Sequence, residues 1–165
     1  MRHALTIDVE EYFQVHAFSD VIPTGSWESC PSAVVENTGR ILDLLDERGL
    51  TATFFCLGWI AERNPELIRS IHSRGHEVAC HGYLHQVISL QGPSGFREDV
   101  TRAKGVLEDC IGEPVIGYRA PTYSITGKTL WALGILEELG FRYDSSIFPI
   151  HPDNYGIPDA PRVPH

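Results

Sequence analysis

Residues 51–85 read TATFFCLGWIAERNPELIRSIHSRGHEVACHGYLH, and the fold class follows from them. Thr51 to Leu57 is continuous in β-branched, aromatic and small apolar residues, the pattern of a strand covered on both faces. Asn64-Pro65 supplies a cap followed by proline at the first helical position, and Gly75 closes the helix. His76 to Cys80 is again strand-like and runs into His81-Gly82-Tyr83-Leu84-His85. Strand, helix and strand in succession predict a βαβ unit with its two strands parallel.

The same alternation extends both ways. Ala4 to Val9 predicts a first strand that runs straight into Glu10 and Glu11. A loop containing Pro23, Gly25 and Pro31 follows, and Ser32 is the expected N-cap of a helix reaching Arg48, with Gly49 ending it. Val34, Val35, Ile41, Leu42 and Leu45 are expected to share its buried face. Downstream, the pattern predicts a helix from Ser94 to Cys110, a strand from Pro114 to Tyr118, a helix capped by Thr126 and ended by Gly140, and a fifth strand from Phe141 to Ile147. The tail from His151 to His165 holds Pro152, Pro158, Pro161 and Pro164, and is expected to be an extended loop. About five β/α units with no repeat and no linker predict an α/β fold in which residues 1–165 form one domain.

Composition narrows the function. A chain of 165 residues can bury roughly 70% of its unfolded surface, so one core is expected. Thirteen Lys and Arg against 22 Asp and Glu give a net charge of −9 with no basic run, which excludes nucleic acid and anionic membrane as expected partners. Asp8 arrives before any apolar signal region could form, and no stretch approaches the roughly 18 apolar residues of a membrane span. The expected location is cytoplasmic. Cys30, Cys56, Cys80 and Cys110 form no CxxC pair, so reduced and mostly buried thiols are expected.

The chemistry-bearing residues fall at the ends of the predicted strands: Asp8 and Glu10 after the first, His81 and His85 after the third, Arg119 after the fourth and Asp144 at the fifth. In parallel β/α folds those ends converge on one face, where sites are built. His81 and His85 are four apart, so on a helical turn both imidazoles would point one way and could chelate a divalent cation. A carboxylate from Asp8, Glu10 or Glu11 would complete a two-histidine, one-carboxylate set suited to metal-assisted hydrolysis. Alternation along Ile7-Asp8-Val9-Glu10 puts Asp8 and Glu10 on one side and Glu11 on the other. His3, His16, His72 and His76 have no partner at ligand spacing and are read as structural; Trp27 is a candidate to border a cleft.

Taken in order, these residues resemble the motifs of the NodB-homology polysaccharide deacetylases, carbohydrate esterase family 4. Thr6-Ile7-Asp8-Val9-Glu10 is similar to the family's first acidic motif, His81 to His85 to its HxxxH motif, Arg119-Ala120-Pro121 to its RxP motif and Asp144-Ser145-Ser146 to its Asp-x-Ser motif. The opening Asp8-Val9-Glu10-Glu11-Tyr12-Phe13 most resembles the subgroup associated with exopolysaccharide biosynthesis and exosortase sorting. The resemblance implies an irregular, incomplete (β/α) barrel from a bacterium that removes N-acetyl groups from an amino-sugar polysaccharide. It implies Asp8 as general base, Arg119 as the group that orients it, and Glu10, His81 and His85 as ligands of a divalent metal. Zinc is the first choice on ligand type, with cobalt, nickel or iron also accommodated.

The chain departs from the family pattern in three places. Val9 follows Asp8 where two adjacent aspartates are frequent, so Glu10 takes the metal carboxylate role by inference. Thr122 follows Pro121 where an aromatic is usual, with Tyr123 next. A Leu-x-His motif supplying the general acid is not found before His165, so a C-terminally truncated domain is expected. Two other functions fit the same residues: an amide hydrolase acting on peptidoglycan or small linear amides, and a non-catalytic carbohydrate-binding module.

Overall fold

Five parallel strands lie side by side in the order of the sequence: β1 (Thr6–Val9), β2 (Thr53–Cys56), β3 (Glu77–Cys80), β4 (Gly117–Tyr118) and β5 (Tyr143–Asp144). This arrangement is taken from a computed structural model that describes residues 4–150 and 155–163. The expectations for His3, His151, Pro152, Pro164 and His165 lie outside the described residues. The helices are α1 (Val34–Arg48), α2 (Gly58–Arg63), α3 (Pro65–Ser73), α4 (Ile88–Ile111) and α5 (Trp131–Glu138). A strand order that never reverses has no switch point. It is the winding of a barrel rather than of a doubly wound sheet, and the α/β parallel architecture read from the sequence is observed.

Period two along each strand divides the side chains between two environments. Val9, Phe54, Cys56, Val78 and Cys80 join the core beneath the helices with Leu42, Ile68, Val100 and Leu107. Each such buried aliphatic or aromatic side chain contributes about 1.5–3 kcal/mol. The opposite face carries Thr6, Thr53, Phe55, Glu77, Arg119 and Tyr143 around a concavity of about 890 Å³. Polar groups there are paired: the Tyr143 hydroxyl donates to Glu77 Oε1 at 2.8 Å and Thr53 Oγ1 donates to Glu77 Oε2 at 2.6 Å.

Several elements differ from the sequence reading. The six-residue α2 follows β2 directly, too short to show a periodic pattern, and Gly58 opens it because a Cβ there would lie 2.6 Å from Tyr83 Cδ2 and 2.9 Å from the Ala103 backbone. The expected helix from Ser94 is preceded by a turn beginning at Ile88, with the break at Gly92 (φ 68°) just before Pro93. Residues 12–29, expected to be loop, contain three 3-10 turns. On α1, Val34, Thr38, Leu42 and Leu45 are buried, whereas Val35 is 48% exposed and leaves the expected face.

The start of α1 holds the largest local correction. Ser32 does not cap it. Glu11 Oε1 accepts from Ala33 N at 2.9 Å, Val34 N at 3.0 Å and Ser32 Oγ at 2.5 Å, so a carboxylate from the end of β1 serves the orphan donors of the first turn. Glu11 is buried, and its own N–H donates to Gln14 Oε1 at 2.8 Å. Glu11→Gln therefore removes a buried charge from a helix N-terminus. The expected loss is about 1–2 kcal/mol, or a fall in Tm of roughly 2–8 °C. Calorimetry checks it, and an unchanged Tm would contradict the cap.

All four cysteines are free thiols, as expected. Burial pushes the Cys80 thiol up to about 12 and the Cys56 thiol well above its usual range. A thiol reagent at neutral pH is expected to modify partly exposed Cys30 first and to reach Cys56 and Cys80 only in denaturant. Time-resolved labelling with peptide mapping reads the order.

Candidate metal centre

Because the strands are parallel, their C-terminal ends share one rim. β1 brings Thr6 and Asp8 to the inner face and places Glu10 just past its end. β3 leads into His81, β4 into Arg119, and β5 into Ser145 and Ser146. Arg119 ties three of these ends together. Its Nη1 donates to Asp8 Oδ1 at 2.7 Å, its Nη2 to Thr6 Oγ1 at 3.0 Å and Ser145 Oγ at 2.9 Å, and its Nε to the Ser145 carbonyl at 3.3 Å. The guanidinium also lies 4.1 Å over the Phe55 ring. A charge so desolvated persists only when its donors are used, and four of the five guanidinium N–H groups are paired here.

Beside this pair, Glu10, His81 and His85 each turn one ligand atom inward, all within 4.8 Å of one another. His85 Nε2 is 2.8 Å and His81 Nε2 is 3.8 Å from Glu10 Oε2. His81 Nδ1 lies 2.8 Å from the Arg119 carbonyl, which can only accept, so Nδ1 carries the proton. Burial lowers the His81 pKa, and with the proton on Nδ1 the Nε2 atom faces the carboxylate as an electron-pair donor. Burial raises the Glu10 pKa, but the His85 ring, 2.8 Å away, outweighs it and holds the group below its usual range. Glu10 Oε2 and His85 Nδ1 are buried with no aligned hydrogen-bond partner. Electron-pair donors turned on one another, with one imidazole anchored from behind by a carbonyl, fit a divalent cation.

The structure changes how this pairing arises. His81 and His85 do not lie on a helical turn: residues 81–85 form an irregular turn, with Gly82 at φ 79° and His85 at φ 53°. Both left-handed residues fold the chain back so that the two rings come within 5.2 Å. Asp144 stands one step from the site. It accepts from Ser146 N at 2.9 Å and from Ser146 Oγ at 2.5 Å, and that hydroxyl accepts from Ala120 N at 2.7 Å, fixing the turn after Arg119. Thr6 and Ser145, which hold Arg119, lie within the acidic and Asp-x-Ser motifs but have no role of their own in the sequence reading; the position of Thr6 two residues before Asp8 on the same strand face is the signal available for it. Glu11 points away from the cluster to α1.

Among the other singled-out residues, His76 is buried and accepts from Ala52 N at 3.3 Å, while His72 sits 3.9 Å from Glu113. Trp27 is buried against Phe13 and Trp59, and borders a pocket of about 290 Å³ that also touches His16, Leu84 and His85.

Residues 24–143 match the family profile described as polysaccharide deacetylase. The chain is 32% identical over 111 residues to the peptidoglycan deacetylase-like protein of Gibberella zeae, covering 66% of this chain and 32% of that one. It is 33% identical over 88 residues to the chitooligosaccharide deacetylase of Sinorhizobium fredii, covering 53% and 41%. A solved structure from Mycobacterium smegmatis assigned to the polysaccharide deacetylases superposes with a TM-score of 0.71 at 32% identity, over 87% of this chain and 50% of that one. The chain thus spans half or less of the length of these proteins. With most of its residues inside the family profile and a structural relative at the same level of identity, the chain belongs to the polysaccharide deacetylase family.

Proposed function

We propose that the protein hydrolyses N-acetyl groups of an amino-sugar polysaccharide, with a divalent cation held by Glu10, His81 and His85. The observation that carries the reading is the convergence of those three ligand atoms next to the Asp8 and Arg119 pair. The cation, zinc by donor type, would polarise the acetyl carbonyl and lower the pKa of a water molecule.

The chain's own residues take the remaining work. Asp8 is assigned as the general base that accepts the proton of the attacking water. Arg119 is assigned to orient it: one guanidinium nitrogen holds Oδ1, three further bonds keep the guanidinium from following, and Oδ2 is left for the proton. The pocket beside His85 offers a sugar the apolar walls of Phe13, Trp27 and Leu84. None of the described residues is assigned to protonate the departing amine. The resemblance of the opening from Asp8 to Phe13 to the exopolysaccharide-associated subgroup favours an exopolysaccharide as the polymer.

The test is acetate release by metal-loaded protein from N-acetylated exopolysaccharide, chito-oligosaccharides, peptidoglycan and small linear amides. Release from a glycan, abolished by chelation, is expected. Acetate from non-sugar amides alone would overturn the substrate class. Tight glycan binding with no acetate from any substrate would replace the enzyme by a binding module.

A further inference from the structure

The two histidines of the cluster are held in different ways. His81 directly follows β3 and its ring is fixed by the Arg119 carbonyl, whereas His85 Nδ1 has no hydrogen-bond partner among the described residues. The place of His85 therefore depends on the backbone between the two. That backbone is held on one side by α2, where Gly58 N donates to the Gly82 carbonyl at 2.9 Å and Trp59 N donates to the Tyr83 carbonyl at 3.2 Å. From the other side it is gripped by Asp99 of α4. Asp99 Oδ2 accepts from Tyr83 N at 2.7 Å and Oδ1 accepts from Leu84 N at 3.2 Å, so one carboxylate binds two successive N–H groups. The fit is close, since a Cβ on Gly82 would lie 3.0 Å from Asp99 Oδ2.

We propose that Asp99 is a positioning residue for the metal centre: by binding the Tyr83 and Leu84 amides it sets the turn that carries His85 to Glu10, and so sets the affinity for the cation. The inference rests on the reading of Glu10, His81 and His85 as ligands. A carboxylate suits the task because two acceptor oxygens face two neighbouring donors. Asparagine keeps the shape but turns an amide NH₂ toward one of them. Groups behind a ligand typically change metal affinity about 10–100-fold when removed.

The experiment measures the zinc dissociation constant of folded protein by competition with a chromophoric chelator. The variants are Asp99→Asn, His81→Ala and, as a control on the exposed side of the same helix, Asp109→Asn. Circular dichroism verifies folding, and amide exchange of the metal-free parent is followed in parallel. Expected are a dissociation constant raised about 10–100-fold in Asp99→Asn, no change in Asp109→Asn, and slow exchange at Tyr83 and Leu84 in the parent. A parental constant in folded Asp99→Asn, even with a lowered Tm, overturns the positioning role, because a purely structural residue would affect stability alone. Fast exchange of both amides in the parent overturns it without any variant. Parental affinity in His81→Ala overturns the ligand reading and this inference with it, whereas loss there with parental affinity in Asp99→Asn overturns the positioning role only.

Discussion

Asp8→Asn is expected to lower the rate of deacetylation about 10²–10⁴-fold while leaving the bound metal in place. An amide keeps the shape of the side chain, and its oxygen can still accept from Arg119 Nη1, now 2.7 Å from Oδ1. What it cannot do is take a proton from water at neutral pH. In the proposed reading the ligand atoms belong to Glu10, His81 and His85, so metal content should be unchanged. Elemental analysis and acetate release on the same preparation check both halves. A variant that loses its metal together with its rate would place Asp8 in the ligand set instead.

His81→Ala is expected to remove most of the bound divalent metal while the fold stays largely intact. The side chain is buried, yet its partners are the Arg119 carbonyl and the cluster itself rather than the helix-covered core. Its loss would open one of the three proposed ligand positions and free the carbonyl that fixed the ring. Elemental analysis against circular dichroism reads the outcome; unchanged stoichiometry would remove the site as drawn. Glu10→Gln should weaken retention in the same direction, since a neutral amide oxygen is a poorer ligand than a carboxylate. Glu11→Gln should leave the metal alone and lower Tm, because Glu11 caps α1.

The adjacent pair Glu10 and Glu11 illustrates what can be read from sequence. Period two along β1 was enough to separate them: Glu10 lies with the histidines and Glu11 on the other side. The destination of Glu11 was not legible. A solvated acid and a buried helix cap look alike in sequence when the helix begins 23 residues later. The HxxxH spacing correctly brought two imidazoles together but suggested a helical turn; the turn is irregular because Gly82 and His85 take left-handed backbone that packing against α2 and Asp99 holds in place.

By itself the sequence determined the order of the five strands and the four longer helices, the parallel α/β class and the set of residues at the strand ends. Those follow from apolar periodicity, caps and glycine or proline punctuation, all local properties of the chain. Only the tertiary structure decided which of those residues meet. Arg119 reaches Asp8 across 111 positions, and its carbonyl reaches His81 across 38. Asp99 binds the turn between the histidines from a helix 15 and 16 positions away. Such contacts exist only once β1, β3 and β4 stand in register with α4 packed behind them. No local pattern encodes a distance between segments that the fold alone brings together.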